Sequence, residues 1–62
     1  MQESLLDVEG AAQRLGVSTR WVRRAVAERR VPFVKVGRYV RFRDGDLAAY
    51  IDRQTVRPVE VR

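Results

Sequence analysis

The chain has 62 residues, enough for one small domain, with thirteen Lys and Arg against eight Asp and Glu and a net charge of +5. It contains no cysteine and no histidine, which removes disulfides, thiolate metal sites and the commonest general base. Its apolar runs are too short to span a membrane, and Met1 is followed by Gln2 and Glu3 rather than by a basic signal region. We therefore expect a cytoplasmic protein without catalytic or metal sites, cofactors or small-molecule substrates.

The positive charge is concentrated in the middle of the chain. Residues 20–43 contain nine basic residues and one acid, Glu28, so this segment carries +8 while the flanks together carry −3. A folded domain with such a block presents one positive face, and the natural partner of that face is a polyanion. The local patterning favours double-stranded DNA.

Two short helices are predicted first. Asp7 is placed to cap a helix whose apolar positions recur at helical spacing as far as Leu15, and Gly16 suits its C-terminal end. Ser18 is placed to cap a second helix over about residues 19–29. Two helices joined by a short turn that begins at a glycine are typical of a helix-turn-helix.

The second helix is predicted to be strongly two-sided. Around a helical projection, Ala25, Val26 and the stem of Arg29 lie within about 60° of Val22 and form a thin apolar stripe. The remaining surface is basic and carries Arg20, Arg23, Arg24 and Ala27. Arginines can bond guanine or neutralise phosphates, and a small residue permits close approach, so this surface favours a helix in the major groove. The alternative is a solvated face, although such faces normally mix both signs of charge.

A hairpin is predicted after Pro32. Residues 33–36 and 39–42 alternate in hydropathy around Gly37-Arg38, and glycine at the first turn position predicts a type II′ turn. We expect four residues to face inward, namely Val34, Val36, Val40 and Phe42. Arg38 then lies at the tip, with Lys35, Arg41 and Arg43 facing water. Such a basic tip suits a minor groove or phosphates, and the alternative is a solubilising turn.

Two aromatic residues have two interpretations each. Trp21 lies at the border between the apolar stripe and the basic surface, where it would stack on DNA or pack at the edge of the core. Packing is favoured because so small a domain needs aromatic bulk. Tyr39, beside the hairpin tip, would bond a phosphate or pack, and the sequence does not decide between these roles.

A third helix is predicted over about residues 45–53, with Asp44 as its cap and apolar residues at helical spacing. We interpret Asp44 and Asp46 as cap and first-turn acids rather than metal ligands, because two carboxylates alone do not make a metal site. Residues 55–62 are predicted to form a loose tail. The DNA-binding domain would then span residues 1–54.

Several segments together resemble the excisionase-type winged-helix family, whose members are small DNA-binding domains related to those of MerR-type regulators. These segments are LDVEGAA (6–12), LGVS (15–18), VRR (22–24), VPFVKVGR (31–38) and DLAAYI (46–51). The fit over residues 31–43 indicates an actinobacterial or actinophage member in particular. The resemblance implies an α+β fold: a small winged helix-turn-helix with a two-stranded hairpin wing and a short C-terminal helix.

Function follows from the same resemblance. It implies an excisionase, or recombination directionality factor, that binds repeated sites beside a prophage or plasmid attachment site and bends the DNA. The implied partner is an integrase, which the protein helps to excise the prophage or plasmid from the chromosome. Carried over by position, the major-groove contacts are Ser18, Thr19, Arg20, Arg23 and Arg24. The wing contact carried over is Arg38. The charge pattern adds Lys35 and Arg41, and Tyr39 is added because it lies beside the tip.

Two alternatives stay open. One is a small transcriptional regulator of a mobile element, which needs the same groove contacts. MerR-type activators usually add a coiled-coil dimerisation helix, and because this sequence shows none, the excisionase is favoured. The other is a protein-interaction adaptor whose basic face meets an acidic partner. For the excisionase we expect a monomer in solution that associates cooperatively on DNA in the nucleoid of a bacterial cytoplasm.

Overall fold

A computed structural model of the chain describes residues 4–58. Along them lie β1 (Leu5–Leu6), α1 (Val8–Leu15), α2 (Thr19–Ala27), β2 (Val34–Val36), β3 (Tyr39–Arg43) and α3 (Asp44–Gln54). The strands form one antiparallel sheet in the order β1-β3-β2. The fold is a small α+β winged helix-turn-helix, as predicted, with a third strand that the sequence did not predict. Residues 1–3 of the predicted domain and 59–62 of the predicted tail lie outside the described residues.

Local side-chain chemistry sets the starts of the first two helices. The carboxylate of Asp7 accepts a hydrogen bond from the backbone N–H of Gly10 at 2.7 Å, and the hydroxyl of Ser18 accepts one from the backbone N–H of Trp21 at 3.0 Å. Each bond satisfies a donor that has no partner within its helix. Gly16 ends α1 in the left-handed conformation, with φ of 72°. Both predicted N-caps and the predicted glycine end are therefore confirmed.

The predicted end of α2 is wrong by two residues. The helix ends at Ala27, and Arg29 follows in the left-handed conformation with φ of 57°. The backbone N–H of Arg30 donates to the carbonyl of Ala25 at 2.8 Å, which closes the helix and reverses the chain. This reversal brings Val31 into the core, where it is 4% exposed. The stem of Arg29 does not belong to the apolar stripe, because this residue is exposed.

The core collects residues from both helices of the helix-turn-helix, from the segment between α2 and β2, from β3 and from α3. Its buried members are Ala11, Ala12, Val22, Ala25, Val31, Phe42 and Leu47. Three of the seven are alanines, so Phe42, Leu47 and Val22 supply most of the buried side-chain volume. Because the core is this small, we expect a free energy of unfolding near the low end of the usual range of about 5–15 kcal/mol.

The hairpin has the predicted two-residue turn, and the inward-facing prediction is confirmed for Val40 and Phe42 but wrong for Val34 and Val36. Val36 pairs directly with Tyr39, so Gly37 and Arg38 form the turn, and Gly37 has φ of 62°. Directly paired residues lie on the same face of a sheet. Val34 and Val36 therefore share a face with Arg41 and Tyr39, their cross-strand partners, rather than with the other predicted inward residues.

Burial follows this pairing. Phe42 is fully buried and Val40 packs against the core, whereas Val36 is 47% exposed. Arg41, which was expected to face water, is half-buried. The cause is the even-numbered turn, which transfers the alternation of one strand to the opposite parity on the next.

Two features anchor the far end of β3. Leu5 pairs with Arg43 and Leu6 with Phe42, which forms β1. The strand then runs directly into α3, whose N-cap is Arg43 and has no side-chain capping bond. The prediction that Asp44 caps α3 is therefore wrong. Its carboxylate instead accepts a hydrogen bond from Nε of Arg14 at 2.8 Å, which links α1 to α3.

Candidate nucleic-acid interface

Helix α2 presents an exposed basic surface opposite its buried stripe. Val22 and Ala25 are buried, and the residues predicted for the basic surface, Arg20, Arg23, Arg24 and Ala27, are all exposed. Ser18 is also exposed, and Thr19 is half-buried at the start of the helix. The two-sided character of this helix is therefore confirmed, and three arginines project from about one and a half turns.

Ser18 has a structural task that limits what it can offer to DNA. Its oxygen accepts the capping hydrogen bond from Trp21, so its hydroxyl hydrogen is what remains for an outside acceptor. A phosphate oxygen is such an acceptor. The residue can therefore cap α2 and donate to DNA at the same time.

Glu28 draws two arginines together at the end of α2. Its carboxylate accepts from Nε of Arg30 at 2.7 Å and from Nε of Arg24 at 3.2 Å. These bonds, first that from Arg30 and then that from Arg24, hold the pKa of the Glu28 carboxyl below its ordinary value. The Arg24 pair has helical i,i+4 spacing, a signal present in the sequence. Arg24, a predicted base contact, thus shares an acid before any DNA binds.

The hairpin tip forms a stacked basic cluster. The guanidinium carbon of Arg41 lies 5.2 Å from the ring centroid of Tyr39, and that of Arg38 lies 5.7 Å from it. Tyr39 is 53% exposed, and Lys35 and Arg38 are also exposed. The ring holds two cations beside one another by cation–π attraction. Nη1 of Arg41 also donates to the carbonyl of Val40 at 2.8 Å, which restrains the guanidinium.

Helix and hairpin meet along one groove. Arg23 and Val26 of α2 line it together with residues 38–41 of the hairpin and Val8 of α1, around a volume of about 330 Å³. Arg23 and Arg41 also line a second recess with Thr19, beside the first turn of α1. The structure therefore brings the predicted helix and wing contacts Thr19, Arg23, Arg38, Tyr39 and Arg41 to these two adjoining recesses. Neither recess is lined by Ser18, Arg20, Arg24 or Lys35.

Trp21 packs at the edge of the core, as predicted. It is half-buried against the core residues, and the guanidinium carbon of Arg30 lies 5.2 Å from its ring centroid. Tyr50 of α3 is another half-buried aromatic residue packed against the core. Arg30 therefore contacts both Trp21 and Glu28, and these contacts tie the segment that follows α2 back to the helix.

A family model described as a helix-turn-helix domain matches residues 5–55 of the chain. The match covers most of the sequence, so the chain belongs to this helix-turn-helix domain family, which includes excisionase-like DNA-binding proteins. No curated protein and no solved structure matches the chain. Family membership indicates DNA binding, in agreement with the basic surface of α2 and the hairpin. Within residues 4–58, none of the helices has the length and hydropathy of a transmembrane segment.

Proposed function

We propose that the protein is an excisionase, a recombination directionality factor that binds and bends attachment-site DNA and directs an integrase toward excision. The observation that supports the DNA-binding part of this proposal is the shared groove, in which Arg23 of α2 lies beside Arg38 and Arg41 of the hairpin. The choice of an excisionase rests on the resemblance of the sequence to that family. A domain that only inserted a helix would not need a basic hairpin on the same side. Two basic elements side by side fit the major groove and the adjacent minor groove of one duplex.

The proposed action is binding without catalysis. α2 would enter the major groove with Arg20, Arg23 and Arg24, and Arg38 would reach the minor groove or its phosphates. Smooth bending of a 20–30 bp site costs on the order of 1–6 kcal/mol. Several copies on one arm of an attachment site would share that cost, so we propose cooperative association on DNA in the nucleoid.

The first experiment tests DNA binding by its salt dependence. Roughly five to seven phosphate contacts give a slope near −5 in log K against log of salt concentration. A slope flatter than about −2 would contradict a DNA-facing basic surface and would favour the adaptor. Arg20→Ala and Arg24→Ala should each cost about 1–3 kcal/mol and relax preference at particular base pairs. Arg38→Ala should weaken binding with less effect on that preference.

The second experiment separates the excisionase from the regulator. Purified protein is added to the integrase of the same mobile element with supercoiled substrates that carry its attachment sites. We expect more excision, less integration, and several copies bound to one bent arm. Binding as a single preformed dimer to one palindrome near a promoter, with altered transcription and unchanged recombination, would replace the proposal with the regulator.

A further inference from the structure

Arg29 holds an unfavourable backbone conformation at the end of α2. Its φ is 57°, and among residues 4–58 it is the one non-glycine residue with positive φ. Left-handed backbone crowds Cβ against the neighbouring carbonyl oxygen, so glycine is the usual residue there. This chain does use glycine at the end of α1, where Gly16 has φ of 72°. An arginine at the corresponding place in α2 therefore requires an explanation.

The two helix ends have the same hydrogen-bond pattern. In each, the residue after the left-handed one donates its N–H to the carbonyl five positions earlier, at 3.0 Å from Val17 to Ala12 and at 2.8 Å from Arg30 to Ala25. This is the Schellman motif, which places glycine at the left-handed position for steric reasons. The turn itself does not require an arginine side chain, and glycine would form it with less strain.

No polar or ring contact of the Arg29 side chain within residues 4–58 offsets this strain. The Arg29 side chain is exposed, and its guanidinium has no hydrogen bond, ion pair or ring contact within residues 4–58. The neighbouring arginines behave differently, because Arg24 and Arg30 share the carboxylate of Glu28. Backbone strain of this kind clusters at functional sites, including ligand-binding positions.

We propose that Arg29 is a phosphate contact of the nucleic-acid interface, retained as arginine because its guanidinium binds the DNA backbone beside the end of α2. The residue lies two positions beyond Ala27, the last residue of the exposed surface of that helix. Phosphate rather than base is its ligand, because cations that flank a groove-binding helix meet the sugar–phosphate backbone and fix the register of the helix. This assignment rests on the proposed DNA binding and adds a residue to it.

The test is Arg29→Gly, measured for stability and for DNA binding. Glycine relieves the strain, so the melting temperature should rise by roughly 2–6 °C. Loss of one phosphate contact should weaken binding to a mixed-sequence duplex by about 5- to 10-fold at about 0.1 M salt and flatten the salt slope by about 0.9. Arg29→Lys should keep most of the affinity without the gain in stability. Arg53→Gln, which removes an exposed charge from α3, is the control and should change affinity less than about twofold.

Opposite signs of the two effects support the assignment. If Arg29→Gly is more stable and binds as tightly as the parent, the arginine has no role in binding and the assignment is overturned. If the melting temperature falls or stays level, the strain argument is overturned. If the parent itself binds no duplex, the proposed function fails and the assignment fails with it. If the parent binds duplex DNA and Arg20→Ala weakens that binding, the proposed DNA binding stands, and the result for Arg29→Gly then tests the assignment of Arg29 alone.

Discussion

Glu28 is the one acid in the basic segment 20–43, and its removal should strengthen DNA binding. Its carboxylate lies 2.7 Å from Nε of Arg30 and 3.2 Å from Nε of Arg24. Glu28→Gln keeps the size of the side chain and an oxygen that accepts from either arginine, but removes the charge. The surface around the end of α2 then gains one unit of positive charge at unchanged shape.

The size of the effect follows from counterion release. Each neutralised phosphate contributes about 0.9 to the salt slope, so one full extra contact is worth about 8-fold in affinity at about 0.1 M salt. Both arginines and Glu28 are solvent-exposed, so screening reduces the gain. We therefore expect the Kd to fall by about 3- to 8-fold and the slope to steepen by up to about 0.9.

Fluorescence anisotropy with a labelled mixed-sequence duplex measures both quantities at neutral pH across a salt series. Asp52→Asn is the matched control, because Asp52 is an exposed acid of α3 that pairs with Arg57 at 3.6 Å. Both substitutions change the net charge equally, and the control should shift Kd by less than about twofold. Equal effects of the two substitutions, or no effect of Glu28→Gln, would refute the placement of the end of α2 against phosphates.

Four further results are expected. Trp21→Ala should lower the free energy of unfolding by about 1.5–3 kcal/mol, less than for a fully buried tryptophan, and leave the salt slope of DNA binding unchanged in protein that remains folded. Ser18→Asp should keep the melting temperature, because aspartate caps as well as serine, yet weaken DNA binding by adding a negative charge at the start of the basic helix α2. Phe42→Ala should cost about 3–5 kcal/mol and leave much of the chain unfolded in circular dichroism. The stability that Glu28 contributes should be present at neutral pH and be lost as pH falls below 4.5 through its lowered folded pKa, so chemical denaturation of the parent and Glu28→Gln should converge there.

Features set by neighbouring residues were predictable from the sequence. Asp7 and Ser18 accept hydrogen bonds from N–H groups three positions away, and Gly16 has the conformation that glycine favours. The starts of α1 and α2 and the end of α1 could therefore be predicted from short stretches of sequence. The exposed arginines of α2 follow from helical spacing alone. The pairing of Glu28 with Arg24 was predictable from the same spacing.

Features set by distant residues were not predictable. Strand β1 has two residues, too few for alternation, and its partner Phe42 lies far along the chain. Asp44 has the sequence position of a cap, but Arg14 binds its carboxylate from thirty positions away. Arg29 adopts a conformation that sequence rules reserve for glycine. The groove between helix and hairpin depends on tertiary packing, so the residues that line it could be identified from the structure but not from the sequence.

The way strand β3 divides its pairing has a mechanical consequence. Its first three residues pair with β2 and its last two pair with β1. The hairpin therefore extends from a continuous strand whose C-terminal end is fixed by pairing with β1. That strand enters α3 without a loop, and Asp44 at the junction is tied to Arg14 of α1. A force applied at Arg38 is therefore transmitted along β3 to α3 and α1, and it reaches α2 through the core that Phe42 shares with Val22 and Ala25. The position of the tip and the position of α2 are therefore coupled through the core.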